Sequence, residues 1–249
     1  MNSMYGGVYI PNLANDAKQY GIGEYRFAHN YEFAGKTFKI CADGKEYTLH
    51  FCCEHGVEFN GEKTEWECEK LEKTMYFVRF GANCAAIDLE NGLATLVLDG
   101  EEKPVLGVID GYEPKEKQAI CTDDMVGTFV RWVFGVNRYV NHDYCAPGKI
   151  RSAWARHTVH IGGGRSFRDG WQPTDADYVE EDAVEVKLGG AYYLVIVDAK
   201  MPEGEGYVAP ADVKKLVLLE DYDRCMTVGC AFGSEGGPIM MAGYAMFLN

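Results

Sequence analysis

Apolar and β-branched residues along this chain fall into short runs, separated by residue pairs that favour turns. Thr37–Cys41, Glu46–Cys52, Met75–Phe80, Ala85–Leu89 and Leu93–Leu98 each read as a strand. Asp43-Gly44, Asn60-Gly61, Gly81-Ala82-Asn83 and Asn91-Gly92 stand between them and supply hairpin chemistry. The same pattern returns in Thr128–Phe134, Arg138–Cys145, Ile150–Ile161, Val184–Leu188, Ala191–Lys200, Lys215–Leu219 and Cys225–Phe232. Helical signals are few. Asn12–Tyr20 has a capping asparagine and a terminal Gly21, and Ala209–Leu216 has Pro210 in its first turn. The pattern predicts an all-β chain of antiparallel barrels.

The two halves can be laid over each other. Ala34-Gly35-Lys36-Thr37-Phe38 resembles Val126-Gly127-Thr128-Phe129, and each precedes a strand bearing a tyrosine, Tyr47 or Tyr139. Further on, Met75-Tyr76-Phe77-Val78 resembles Tyr192-Tyr193-Leu194-Val195. A duplicated β-unit follows, with an N-terminal arm over 1–32, a first unit over 33–110 and a second over 124–249. The charged, proline-bearing stretch between Asp99 and Asp124 is the expected seam.

Composition narrows the function classes. The 249 residues carry 24 Lys and Arg against 38 Asp and Glu, a net charge of −14, which disfavours nucleic acid and anionic membranes as partners. A hydrophobic content of 47% excludes a disordered chain. No apolar run is long enough for a membrane span, and the start lacks the charge and hydropathy pattern of a secretion signal, so a cytoplasmic protein is expected. The nine cysteines are odd in number and form no Cys-x-x-Cys pair, which suits free thiols in a reducing compartment.

Candidate chemistry concentrates between Arg131 and Trp171. Alternation on a strand puts His142 and Tyr144 on one face, with Tyr139 on the other. Trp154 and Arg156 likewise share a face, with Arg151 opposite. A barrel interior holding His142, Tyr144, Trp154 and Arg156 would present aromatic walls, two proton-exchanging groups and a cation. Lys200, at the end of an apolar strand that also carries Tyr192, is a candidate cation or low-pKa amine, or simply a solvated strand end. A metal site is not expected, because His157 and His160 would point to opposite sides of a strand. The spacing of Cys145 and His142 does not fit a nucleophile and its base. Gly162-Gly163-Gly164 lacks the lysine and the helix of a phosphate loop, and reads as a flexible rim. Neither a Gly-x-Ser-x-Gly nor a Gly-x-Gly-x-x-Gly motif follows a strand.

These residues also resemble a known family. Phe33 to Phe38 with its Asp-Gly turn, Tyr139 to Tyr144, Trp154, and Tyr193 to Pro202 are similar to motifs of the MoaF-like proteins, which are built from calycin barrels. The likeness spans about Phe33 to Phe232. His142 is displaced by one residue from the family's spacing, and Ala199 replaces an acidic residue. A more distant resemblance to phenolic acid decarboxylases implies Tyr, Arg and Glu doing acid/base chemistry inside a barrel.

The expected function is therefore a lyase or isomerase that needs no cofactor, moving protons on a small aromatic or unsaturated acid. His142, Tyr144, Arg156 and Lys200 would be catalytic, and Trp154, Tyr139, Tyr192 and Arg151 would bind ligand. The alternatives are a non-catalytic carrier of a small hydrophobic ligand, or a structural protein with filled barrels. The expected partner is a small molecule, with self-association into a homo-oligomer left open.

Overall fold

The computed structural model describes residues 3–5, 8–10, 25–121, 123–135, 138–154, 157–159, 165–167, 174–201 and 212–248. A short hairpin of β1 (Ser3–Tyr5) and β2 (Val8–Ile10) precedes two barrels. The first is formed by β3 (Thr37–Ala42), β4 (Lys45–Phe51), β5 (Gly56–Phe59), β6 (Glu62–Lys70), β7 (Met75–Phe80), β8 (Asn83–Asp88), β9 (Leu93–Val97) and β10 (Val105–Ile109). Each strand pairs with the next, and β10 closes on β3.

Next along the chain is β11 (Ala119–Cys121), then β12 (Phe129–Gly135), β13 (Arg138–Ala146) and β14 (Lys149–Trp154). A hairpin of β15 (His157–Val159) and β16 (Arg165–Phe167) is inserted, followed by a single 3-10 turn at Asp175–Asp177. The rest is β17 (Val179–Gly189), β18 (Tyr192–Asp198), β19 (Lys215–Asp221), β20 (Met226–Phe232) and β21 (Ile239–Phe247). Strands β12, β13, β14 and β17 to β21 form a second closed eight-stranded barrel, with β21 pairing back to β12. The first half of β17 pairs with β14, and β11 pairs with its second half beyond the end of β14. The fold is all-β, two calycin-like antiparallel barrels, with no α-helix among the described residues.

Of the two predicted helices, Asn12–Tyr20 lies outside the described residues. The second is corrected in part: Lys215 and Leu216 belong to β19, because their alternation with Val217 and Leu218 completes two buried faces. Strands β1, β2, β5, β6, β10, β11, β16 and β21 were not predicted, and the predicted strand Ile150–Ile161 is divided between β14 in the barrel and β15 in the inserted hairpin. The expected seam contains β10, which the first barrel needs for closure.

The barrels repeat each other in detail. Gly35 and Gly127 both have positive φ, 80° and 88°. Gly35 N–H donates to the Phe51 carbonyl at 2.7 Å, and Gly127 N–H to that of Tyr144 at 2.9 Å. Lys36 and Thr128 close the same small turn, onto Phe33 and Met125. In the first barrel Glu32 accepts bonds from Lys70 and Tyr76, a cross-strand pair on β6 and β7. In the second, Asp124 accepts from Lys187 (3.2 Å) and Tyr193 (3.1 Å), the matching pair on β17 and β18. Each acid immediately precedes the residue that plugs its barrel, Phe33 or Met125. The closing strands carry Gly107 and Gly243 at matching positions, where a Cβ would lie 2.4 Å from Ile40 Cγ2 and 2.3 Å from the Val133 carbonyl oxygen.

The barrels lie side by side. Met75, Phe77, Cys84 and Ala86, on the outside of the first, bury against Leu194, Val217, Val228 and Cys230, on the outside of the second. Both faces of these strands are therefore apolar, which explains the continuous hydrophobic runs in β7 and β8. Arg224 bridges the two units by donating to the Leu71 carbonyl and pairing with Glu72.

Candidate functional site

Burial and alternation decide what fills each barrel. The first is packed with Phe33, Phe38, Phe51, Trp66, Phe80, Ile87 and other apolar groups. Its interior polar atoms are bonded: Trp66 Nε1 donates to the Cys53 carbonyl at 2.9 Å, and the Tyr76 hydroxyl to Glu32 at 2.6 Å. The unpartnered atom nearest it is His29 Nε2, on the ring that packs edge-on against Trp66 from outside the strands.

The second barrel is built differently at the same positions. The pairing registers superpose Leu49 on His142, Phe51 on Tyr144, Cys68 on Glu185 and Ile87 on Glu220. His142, Tyr144 and Glu220 are completely buried, and Glu185 nearly so. Glu220 Oε2 accepts from the Tyr222 hydroxyl at 2.5 Å and the Tyr144 hydroxyl at 3.4 Å. Its Oε1 has no partner among the described residues, nor have Glu185 Oε2, both His142 ring nitrogens, Trp132 Nε1 and Trp154 Nε1. Native cores leave few such atoms. Among the described residues, six of the ten such side-chain atoms lie inside this one barrel.

Burial sets the protonation of this cluster. It pushes the Glu220 carboxyl up to about 8, against the pull of the two phenols, so at neutral pH the group is mainly protonated. With Oε2 occupied as an acceptor, the proton belongs on Oε1. Burial raises Glu185 to about 7, with the Met125 backbone N–H acting in the other direction. The Tyr144 hydroxyl is driven well above its ordinary range, chiefly by burial and then by Glu220. His142 falls to about 3 through burial alone, so its imidazole is neutral, with one donor and one acceptor nitrogen.

At one end, Tyr222 reaches from this cluster to the rim. Its ring packs against Trp132 (5.9 Å between centroids), Tyr193 (5.6 Å) and Phe247 (5.8 Å), making an aromatic collar beside the Asp124 contacts. Elsewhere in the interior, Ser152 donates to Glu181, whose other oxygen accepts the Lys200 backbone N–H at 2.7 Å.

Of the residues singled out in the sequence, His142, Tyr144 and Trp154 come together inside this barrel. Arg156 lies outside the described residues, as do His160 and the Gly162–Gly164 loop. Lys200 contributes only its backbone there, and its ammonium group bonds the Glu180 carbonyl outside. Tyr139 and Arg151 face outward: Tyr139 lies under the Arg131 guanidinium at 4.1 Å, and Arg151 pairs with Asp143 at 2.5 Å. Tyr192 packs at the seam between the barrels. Glu185, Glu220, Tyr222 and Trp132 were missed. In a chain with 38 acids, a glutamate on a strand reads as a solvated outer residue. Glu220 matches Ile87 only through strand register, Tyr193 lying opposite Glu220 as Tyr76 lies opposite Ile87.

Two surface grooves of about 500 and 530 Å³ run along the seam, sharing Val97, Asp198 and Lys215. They lie outside both barrels and contain none of the unpartnered atoms. Among the described residues no three His, Cys, Asp or Glu side chains converge as a metal site, and no helix is long and apolar enough to cross a membrane. No protein-family model matches the chain and no curated protein matches it, so the interior of the second barrel is identified by its own geometry.

Proposed function

We propose that the second barrel is a proton-transfer site for a small aromatic or unsaturated compound, of lyase or isomerase type and independent of a cofactor. The observation behind this reading is the contrast between the two halves. One scaffold, used twice, has a satisfied apolar interior in one copy and buried acids, phenols, indoles and an imidazole in the other. Unbonded buried polar atoms cost free energy, and a bound ligand would bond them.

Glu220 is the acid and base in this scheme. Protonated on Oε1, it gives a proton to one position of the substrate. The resulting carboxylate is held by Tyr144 and Tyr222, and takes a proton back from substrate or water. The resemblance to calycin-barrel proteins of the MoaF-like type agrees with a ligand inside a barrel, and nine free thiols suit the cytoplasm. The neutral imidazole of His142 and the aromatic collar would also serve a carrier.

Solvent-deuterium exchange separates the two readings. A panel of small enones and aromatic acids is incubated with the protein in D2O. Incorporation that is lost in Glu220→Gln and weakened in Tyr222→Phe supports proton transfer. Tight binding without exchange selects the carrier.

A further inference from the structure

We infer that the second barrel selects an uncharged carbonyl compound over the corresponding carboxylate, an inference that rests on this barrel being the ligand site proposed above. The interior has two unlike sets of polar groups. On β12, β13 and β14, Trp132, Val140 and Trp154 are aligned in one cross-strand row, with His142 in the next. Both indole N–H groups of that row are buried and unbonded. They are neutral donors, which suit a carbonyl oxygen.

Acids enter from β17, which adjoins β14 and carries Glu181 and Glu185, and from β19 across the barrel, which carries Glu220. Glu185 and Glu220 each keep one oxygen free, able to accept from a hydroxyl or to donate when protonated. No described lysine or arginine balances these acids from within. Lys187, at the rim, is held by Asp124, while Arg131 and Arg151 are engaged on the outer face with Asn141 and Asp143. A ligand carboxylate would be stripped of water with no described cation to pair it, in a buried interior that already drives its own acids toward their neutral forms. A ketone or ester oxygen meets the same indole donors without burying a charge. The expected small aromatic acid thus gives way to its neutral relative.

Benzylideneacetone and cinnamate test this, because they share the aryl ring and double bond and differ in a methyl group for an anionic oxygen. Affinities of the full chain are measured by calorimetry at neutral pH. The ketone is expected to bind at least about tenfold more tightly, and Trp132→Phe is expected to weaken its binding in a protein whose circular dichroism is unchanged. Equal or tighter binding of cinnamate overturns the charge selectivity while leaving the barrel as a ligand site. If neither compound binds, and a wider set of neutral and acidic aromatics also fails to bind, the ligand-site reading falls and this inference with it.

Discussion

Tyr144 stands in the second barrel where Phe51 stands in the first. Each accepts a backbone bond from a left-handed glycine, Gly127 or Gly35, and each donates its own N–H to the residue after that glycine. The backbone is the same, and one hydroxyl group distinguishes the side chains. That hydroxyl reaches Glu220, which itself replaces Ile87. The duplication therefore separates what the fold requires from what it does not. Barrel closure needs an aromatic at this place, and nothing in the closure needs a buried carboxyl opposite it.

The two phenols should be unequal. Tyr222 donates to Glu220 at 2.5 Å and Tyr144 at 3.4 Å. Tyr222→Phe is expected to cost about 1–3 kcal/mol of stability, the usual penalty for stripping a partner from a buried polar group, and Tyr144→Phe less. Both should raise the Glu220 pKa, because each phenol favours the ionised form. The pH midpoint of exchange should move upward in both variants, further in Tyr222→Phe. An unmoved midpoint would show that Glu220 is not the titrating group.

Stability should fall as the solution is made alkaline. Glu220 has its pKa raised by burial from 4.5 to about 8 and Glu185 to about 7. Between the unfolded and folded values, the folded chain keeps protons that the unfolded chain has lost. Unfolding then releases protons and becomes easier as pH rises. The loss should begin above roughly pH 4.5 and level off above the folded pKa values. Glu69, buried beside Arg26 at the barrel seam and raised to about 7, adds to the same trend. In Glu220→Gln the melting temperature should depend less on pH, and should exceed that of the parent most clearly above about pH 8. A parallel pH profile in the two proteins would rule out this role for Glu220.

The parts of this arrangement that depend on residue type alone were legible in the sequence. Met75–Phe80 was predicted to the residue, as a short run of β-prone and aromatic residues that ends at the Gly81-Ala82-Asn83 turn. The duplication was visible at Gly35 and Gly127, where a turn needs the left-handed region. Strand β6 was not, because its outward face is nearly all charged and hides the inward Thr64, Trp66 and Cys68. Strand β21 was hidden by its Met, Ala and Gly content, which has little β propensity until β12 and β20 flank it. The acids of the site are the clearest case. Whether Glu185 and Glu220 face in or out depends on register, and register is fixed by partner strands remote in sequence.

Replacing His142 should trade function for stability. Both ring nitrogens are buried without partners, and the matching residue of the first barrel is Leu49. His142→Leu keeps nearly the same volume and removes two unbonded polar atoms, so it should stabilise the protein by about 1–3 kcal/mol. Ligand affinity should fall in the same variant. Chemical denaturation and calorimetry on one preparation check both halves of the statement. A destabilised variant would mean that His142 has a partner in the free protein.

The Asp124 contacts should govern access to the site. Asp124 ties the turn before Met125 to Lys187 and Tyr193, beside the collar of Tyr222 and Phe247, and the Met125 N–H bonds Glu185. The matching Glu32 contacts in the first barrel lead only to the filled interior behind Phe33. Asp124→Asn weakens a mostly exposed pair, so the melting temperature should change little. The backbone amide of Gly127, bonded to the Tyr144 carbonyl, should nevertheless exchange faster with solvent, and ligand should associate faster. Glu32→Gln should leave ligand kinetics unchanged, which makes it the internal control. Stopped-flow tryptophan fluorescence with hydrogen exchange on both variants measures the difference. Equal association rates in the two would place the entrance at the other end of the barrel, near Ser152 and Glu181.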